Sequence, residues 1–185
     1  MKGPCPVKDI NDQLRNYHNL VAKIDSLCTE IMMQCADSIS CSKGCDACCR
    51  HFSIFWVEAV NLANFVANLP QKQAALLQSK AQYLAEQDVC PLLVDGVCAL
   101  YSARPIICRT HGLPVLARNE TTQIVDFCPR NFTLAETLPG HLIIDLDQLN
   151  TTLVAINALF VSCYFNGNPP PTERLTIADA LCLKI

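Results

Sequence analysis

Residues 41–49 read Cys41-Ser-Lys-Gly-Cys45-Asp-Ala-Cys48-Cys49, so four thiols fall within nine positions. Cysteines separated by two to four residues can wrap one loop around a metal ion, because both sulfurs can turn inward. Gly44 permits the tight backbone that such a chelating turn requires. The stretch therefore predicts an irregular, thiol-rich loop whose most direct chemistry is metal binding.

The adjacent pair Cys48–Cys49 limits how this loop can be used. Neighbouring side chains diverge by about 100° in a helix and point to opposite faces in a strand. Regular backbone therefore does not aim both sulfurs at one ion. Either the two cysteines serve different metals, or one is a ligand while the other packs or reacts.

A second cysteine-rich segment follows the first. Asp95-Gly96 is a two-residue hairpin turn between short apolar runs, and it predicts that the cysteines on either side come together. A second hairpin is predicted over 113–127, with residues 119–122 as its connection. The cysteines of this segment are Cys90, Cys98, Cys108 and Cys128.

Composition separates two explanations for the 13 cysteines among 185 residues. A disulfide scaffold belongs in an oxidising compartment, whereas clustered metal ligands belong in a reducing one. The chain starts at Met1 without an apolar signal segment, and the cysteine count is odd. We therefore expect a reduced, cytoplasmic, metal-binding protein, in which the sequons at Asn119, Asn131 and Asn150 are chance matches.

Charge and hydropathy exclude two classes of partner. The formal net charge is −3 and no basic stripe is present, so no nucleic-acid partner is expected. No run of about 18 apolar residues occurs, so no membrane span is expected. The sequence does not specify a protein partner or substrate.

Apolar residues at three- and four-residue steps predict a mainly α fold. Cys28 and Cys35 fall on the apolar stripe of the first helix and are predicted to be core residues. Ser53 is predicted to cap the second helix, and Asp145 with Gln148 to open the fourth, which closes the core. The predicted helices span residues 8–36, 54–69, 71–87 and 146–165, with a short one from Thr176.

Together these elements predict one domain over residues 1–185. It is a helical domain that carries a cysteine-rich, irregular metal-binding face with one or two small β-hairpins. The cysteine-rich region spans 41–130 and is flanked by the helices at 8–36 and 146–165.

Four arginines lie close in sequence to these cysteines, namely Arg50, Arg104, Arg109 and Arg130. Nearby cations lower the pKa of a thiol and offset the charge of metal thiolates. We therefore predict that these arginines surround the thiols and balance their charge.

The donor set indicates which metals to expect. Sulfur ligands suit zinc and iron–sulfur chemistry and disfavour magnesium and calcium. The thiols could form two four-sulfur zinc sites, or one iron–sulfur cluster with spare thiols, and His51 or His111 could replace one of them. Cys41-x3-Cys45-x2-Cys48 also has the spacing of radical S-adenosylmethionine enzymes, but the alternating strands and helices of their barrel are missing.

The cysteine motifs taken together resemble a known family. These motifs are C-x3-C-x2-C-C, Cys90-Pro-Leu-Leu, Asp95-Gly96-x-Cys98, Tyr101 and Arg104-Pro105-x-x-Cys108-Arg109. They resemble the zinc- or iron-chelating CxxCxxCC family of small bacterial proteins over about residues 41–130. The resemblance implies a chelating set of Cys41, Cys45, Cys48, Cys49, Cys90, Cys98, Cys108 and Cys128, here named the motif thiols.

Three functions remain open from the sequence. The first is a protein that binds zinc or iron as a structural, sensed or carried ion. The second is an iron–sulfur enzyme that modifies a protein or peptide, as the flagellin lysine methylase members of the resembled family imply. The third is a redox sensor that cycles Cys48–Cys49 or Cys45–Cys48. The role of Cys5, Cys28, Cys35, Cys163 and Cys182 is not assigned by the family pattern.

Overall fold

The computed structural model describes residues 9–42, 44–119, 121–133 and 137–185, and most of its regular structure is helical. This confirms the predicted mainly α fold. The helices are α1 (Ile10–Gln34), α2 (Trp56–Ala67), α3 (Gln71–Tyr83), α4 (Ile106–Thr110), α5 (Leu146–Tyr164) and α6 (Ile177–Cys182). No helix in these ranges has both the length and the apolar character needed to cross a bilayer.

The strands are short and form three small sheets. The first pairs β1 (Ser53–Phe55) with β7 (Arg174–Thr176), and the second pairs β2 (Leu93–Val94) with β3 (Val97–Cys98), both antiparallel. In the third, β4 (Val115–Arg118) pairs antiparallel with β5 (Gln123–Asp126) and parallel with β6 (Ile144–Asp145). Both predicted hairpins are confirmed, whereas the pairings of β1 with β7 and β4 with β6 were not predicted.

The long helix α1 forms one side of the main core. Its start is capped by Asp9, whose side chain accepts a hydrogen bond of 3.0 Å from the backbone N–H of Asn11. Cys28 is 5% exposed, which confirms the prediction that it is a core residue, and Cys35 packs against the same core. The buried residues of α1 are Leu14, Tyr17, Leu20, Ile24, Cys28 and Ile31.

The fourth long helix, α5, closes this core as predicted. Leu149, Leu153 and Phe160 pack in the same cluster as the buried face of α1. The side chain of Asp145 caps the helix by accepting a hydrogen bond of 3.0 Å from the backbone N–H of Gln148. Burial of these apolar side chains therefore holds α1 and α5 together, although the two helices are far apart in sequence.

Helix α2 is central because its two faces belong to different cores. Val57 and Val60 pack with α1 and α5, whereas Ala59, Leu62 and Val66 pack with α3 and α6. The second core also includes the buried Cys90 and Leu92, which lie next to the β2–β3 hairpin. The hairpin that carries cysteines thus rests on a packed apolar layer.

The start of α2 differs from the prediction. Ser53 lies in β1 and pairs with Thr176, so it does not cap the helix, which begins three residues later at Trp56. The carboxylate of Glu58 instead accepts a hydrogen bond of 3.1 Å from the backbone N–H of Phe55. Asn157 on α5 accepts another of 3.1 Å from the N–H of Val57. A distant amide therefore supplies part of the cap that the local sequence was expected to provide.

Glu58 also fixes the start of α4. Its second carboxylate oxygen accepts a hydrogen bond of 3.0 Å from the backbone N–H of Ile106. The side chain is buried, and this burial raises the pKa of the carboxyl group above its usual range. One buried acidic group thus joins the first turns of two helices, and Cys108 lies on the second of them.

We predict that Glu58→Ala lowers the free energy of unfolding by about 2–3 kcal/mol, because two backbone N–H groups lose a shared acceptor. Glu58→Gln should cost less, since its amide oxygen keeps one acceptor position. Urea denaturation of both variants, with Glu86→Ala on the exposed surface as control, measures the difference. Equal stabilities for Glu58→Ala and Glu86→Ala would show that the bridge contributes nothing.

Candidate metal centre

The opening cysteine loop docks on the segment just before the first hairpin. The backbone N–H of His51 donates to the carbonyl of Asp88 at 2.9 Å, and the N–H of Cys90 donates to the carbonyl of Cys49 at 3.3 Å. Between these bonds Arg50 forms an antiparallel bridge with Val89. This pairing brings Cys49 beside Cys90, although 40 residues separate them.

The β2–β3 hairpin then brings Cys98 to the same place. Asp95 and Gly96 have φ values of 49° and 73°, which are the left-handed conformations of the predicted turn. Leu93 pairs with Cys98 across the hairpin. A Cβ atom at Gly96 would lie 3.9 Å from the carboxylate of Asp46, so the turn itself borders the opening loop.

Cys108 on α4 completes a first group of thiols. Its pKa is raised to about 12, first by burial and then by the nearby Cys90, Cys98 and Cys49 thiols. Burial likewise raises the pKa of Cys90 to about 11, with Cys98 and Cys49 again contributing. We name this group the inner set; it consists of Cys49, Cys90, Cys98 and Cys108.

Among the other motif cysteines, Cys41 and Cys128 contact the buried residue Asn131. Its amide nitrogen donates to the Cys41 sulfur at 3.3 Å and to the Gly112 carbonyl at 2.7 Å. Its amide oxygen accepts from the backbone N–H of Ser40 at 2.9 Å, and its own N–H donates to the Cys128 carbonyl at 2.8 Å. Asn131 therefore ties the opening loop to the end of the second segment.

The motif thiols that are not in the inner set form a second group. Burial raises the pKa of Cys41, and the Cys128 and Cys45 thiols also act to raise it. Burial also raises the pKa of Cys48, and among its further causes are the charges of Cys49, Cys45 and Cys128. We name this group the outer set; it consists of Cys41, Cys45, Cys48 and Cys128.

The thiols are gathered but not preassembled around an ion. All of the motif thiols are free, so none of them is part of a disulfide. Within the described ranges, no three His, Cys, Asp or Glu side chains converge on one position that could hold a metal. The donor set fits zinc or iron by its chemistry, and binding requires the sulfurs to rotate inward.

The family model described as "CxxCxxCC: Putative zinc- or iron-chelating domain" matches residues 40–129 of the chain. Residues 40–129 are similar to this domain family. The resemblance predicted from the cysteine motifs is confirmed, and the matched range spans every motif thiol. No match to the chain was found among curated proteins or among solved structures.

Two of the four arginines lie beside the thiols of the CxxCxxCC domain. Arg104 donates to the carbonyl of Cys108 at 3.1 Å and stacks on the Tyr101 ring, and its charge acts to lower the pKa of Cys98. Arg130 places a guanidinium nitrogen 3.9 Å from the Cys45 sulfur. Each set therefore has at least one nearby cation.

The prediction for the other two arginines is wrong. Arg50 forms an exposed ion pair of 2.6 Å with Asp88. Arg109 turns away from the thiols and contacts both carboxylate oxygens of Asp25 on α1, at 2.7 and 2.8 Å. It also donates to the backbone carbonyls of Arg104 and Ser102. Because its partners include a residue 84 positions away, no local pattern could reveal that Arg109 joins α1 to α4.

The structure also does not support His51 as a ligand that replaces one of the thiols. Its Nδ1 lies 3.2 Å from the carbonyl of Gln87, and its Nε2 accepts from the backbone N–H of Ala178 at 3.2 Å. Both ring nitrogens are therefore used in hydrogen bonds, and neither is free to bind a metal. His111 ends α4 with an exposed side chain.

The described cysteines outside the CxxCxxCC pattern have partners other than the motif thiols. Cys28 donates to the carbonyl of Arg109 at 3.5 Å within the main core, and Cys182 lies 3.9 Å from the carbonyl of Gln78. Cys163 is disulfide-bonded. Cys5 lies outside the described residues.

Asn131 is the site residue that sequence reasoning missed. It was noted only as part of a chance sequon, and its 1% exposure leaves no room for a glycan in the folded protein. Its role depends on contacts with residues 19 to 91 positions away, so no local pattern could reveal it. The packing next to Asn131 also explains why position 112 is a glycine, because a Cβ atom there would lie 3.2 Å from the Cys41 sulfur.

We predict that Arg109→Met lowers the free energy of unfolding by about 2–3 kcal/mol, because the Asp25 carboxylate and two backbone carbonyls lose a buried, charged donor. Arg50→Met should cost less than about 1 kcal/mol, because its ion pair is exposed. Guanidinium denaturation of both variants measures the contrast. Similar losses for the two would show that Arg109 is not a buried link.

We predict that Gly112→Ala destabilises the protein more than Gly167→Ala. Both glycines have a left-handed backbone, with φ of +87° and +82°, so both variants carry the same strain, about 1–2 kcal/mol. Only the Cβ at position 112 meets the Cys41 sulfur, whereas nothing lies within 4 Å at position 167. Thermal unfolding of the two variants compares them, and equal shifts in Tm would contradict the close packing at Cys41.

Proposed function

We propose that the protein binds zinc or iron through the motif thiols of its CxxCxxCC domain. The observation that carries this proposal is that separate segments deliver free thiols to one region of the fold. Backbone pairing supplies Cys49 and Cys90, the hairpin supplies Cys98, and Asn131 connects Cys41 with Cys128. The proposed ligands are Cys41, Cys45, Cys48, Cys49, Cys90, Cys98, Cys108 and Cys128.

The environment of the thiols supports this chemistry. A metal supplies the positive charge that stabilises thiolates, and Arg104 and Arg130 add cations at the two sets. The amide of Asn131 donates to the Cys41 sulfur, which is the kind of outer contact that orients a ligand. Sulfur donors alone suit both zinc and an iron–sulfur cluster.

The alternatives receive less support. Burial raises the pKa of Cys41, Cys48 and Cys49, whereas a cysteine that cycles in redox chemistry needs a lowered pKa. Two surface clefts of about 440 and 390 Å³ are lined by residues of α1, α2, α3, α5 and the C-terminus, and neither includes a motif thiol. These two clefts therefore give no support to a substrate site beside the thiols.

The proposed setting follows from the same thiols. Among the described cysteines, eleven are free and one, Cys163, is disulfide-bonded, so the expectation of a fully reduced protein is not met there. The predominance of free thiols supports the reducing cytoplasm as the proposed compartment. We also propose that residues 1–185 act as one domain, because α2 shares its two faces between both cores.

We predict that Cys45→Ser and Cys108→Ser lower the metal content of the purified protein, because each removes a proposed sulfur ligand. Cys28→Ser and Cys182→Ser should keep the full content, because these free cysteines lie outside the motif. Anaerobic purification, followed by elemental analysis and an absorption spectrum, measures the amount and type of metal. Iron with inorganic sulfide would identify a cluster, and a colourless protein with tightly bound zinc would identify zinc.

Full metal content in soluble Cys45→Ser and Cys108→Ser would refute the ligand assignment. Wild-type protein that holds neither metal, even after anaerobic incubation with zinc or with iron and sulfide, would refute the proposed function itself. Circular dichroism of each variant separates a lost ligand from a lost fold.

A further inference from the structure

The surroundings of Cys48 and Cys49 differ although the two residues are adjacent. Cys48 is exposed, whereas Cys49 is half-buried and packs against the second core. The carbonyl of Cys49 is held by the backbone N–H of Cys90. The two thiols are hydrogen-bonded to each other, but only Cys49 packs against the second core.

The inner set lies on the second core. Cys90 is a buried member of that core, and Cys49 and Cys98 pack against it. The position of Cys108 follows from α4, whose start is fixed by Glu58 and whose end is fixed by Arg109. The charges that act on Cys108 are those of Cys90, Cys98, Arg104 and Cys49, which include every other member of the inner set.

The outer set has a different support. None of its members packs against either apolar core of the described residues. Cys41 and Cys48 are exposed, and Cys45 and Cys128 are half-buried. Polar contacts hold this set in place: Asn131 binds Cys41 and the Cys128 backbone, and Arg130 approaches Cys45.

We propose that the motif thiols form two separate metal sites, and that the boundary between them falls between Cys48 and Cys49. The inner site uses Cys49, Cys90, Cys98 and Cys108, and the outer site uses Cys41, Cys45, Cys48 and Cys128. This inference rests on the proposed metal binding and extends it by assigning each ligand to a site. Four sulfurs complete the tetrahedral shell of a structural zinc, so neither site needs a ligand from the other.

The two sites differ in how they exchange their metal. The inner site is closed by the apolar layer and by α4, so a chelator reaches it only when this part of the fold opens. The outer site presents two exposed sulfurs and no apolar cover. It therefore releases its ion first, and it is the site from which metal can be passed to another molecule or lost to a competitor.

The test uses the full chain, loaded anaerobically with zinc(II) under reducing conditions. Elemental analysis is expected to give two zinc ions per chain for the wild type. A colorimetric chelator should then remove zinc in two phases of equal size, one fast and one slow. Cys48→Ser should abolish the fast phase and Cys49→Ser the slow phase, so that a shift of one residue changes which metal is lost.

Cys48→Ser and Cys49→Ser serve as controls for each other, because the substitution is the same and the two positions are adjacent in sequence. Cys45→Ser and Cys98→Ser repeat the comparison at members of the outer and inner sets that are not neighbours in sequence. They replace the first pair if Cys49→Ser does not fold.

Each outcome decides the inference. One zinc ion per wild-type chain would overturn the two-site arrangement and leave the proposed metal binding intact, whereas no bound metal would remove both. Two ions that are lost together in Cys48→Ser and in Cys49→Ser would show one shared centre and overturn the division. Release of both ions at a single rate would overturn the proposal that the outer site releases its ion before the inner site.

Discussion

The arrangement of the cysteine-rich region depends on one short backbone pairing, between residues 49–51 and residues 88–90. Helices α2 and α3 lie between these two segments in the chain, so the pairing closes a loop around them. It also places the irregular opening loop against the second core, next to the hairpin turn at Asp95 and Gly96. Without it, Cys49 would have no fixed relation to Cys90, and the opening loop would have little to hold it.

Buried polar side chains order the remaining loops of this region, as the backbone hydrogen bonds of helices and strands do elsewhere in the fold. Glu58, Arg109 and Asn131 are each at most 9% exposed. Glu58 and Asn131 bind backbone groups from segments distant in sequence, whereas Arg109 binds the carboxylate of Asp25 on α1 and two carbonyls near its own helix. A buried polar group costs free energy unless its hydrogen bonds are satisfied, and these contacts satisfy them. The loops that carry the motif thiols are therefore ordered by specific contacts, although they have few strands or helices.

Much of the fold could be predicted from sequence because its signals are local. Periodic apolar residues identified α1 and α5, and Asp95-Gly96 identified the first hairpin, because each pattern is complete within one element. The grouping of cysteines into a common region was also predicted, from the hairpins that deliver them. The prediction failed where the partner lies far along the chain. Arg109 is close to Cys108 in sequence but turns to Asp25, and proximity in sequence could not show its direction.

The contact between Asn131 and Ser40 has a further consequence for how this domain is built into a protein. The backbone N–H of Phe132 also donates to the carbonyl of Ser38 at 2.6 Å, so the chain enters and leaves the CxxCxxCC segment at the same point. A segment with adjoining ends can be inserted into a helical host without separating the host's own elements. The adjoining ends let α1 and α5 pack together directly, while α2 of the inserted segment contributes Val57 and Val60 to the core that they share.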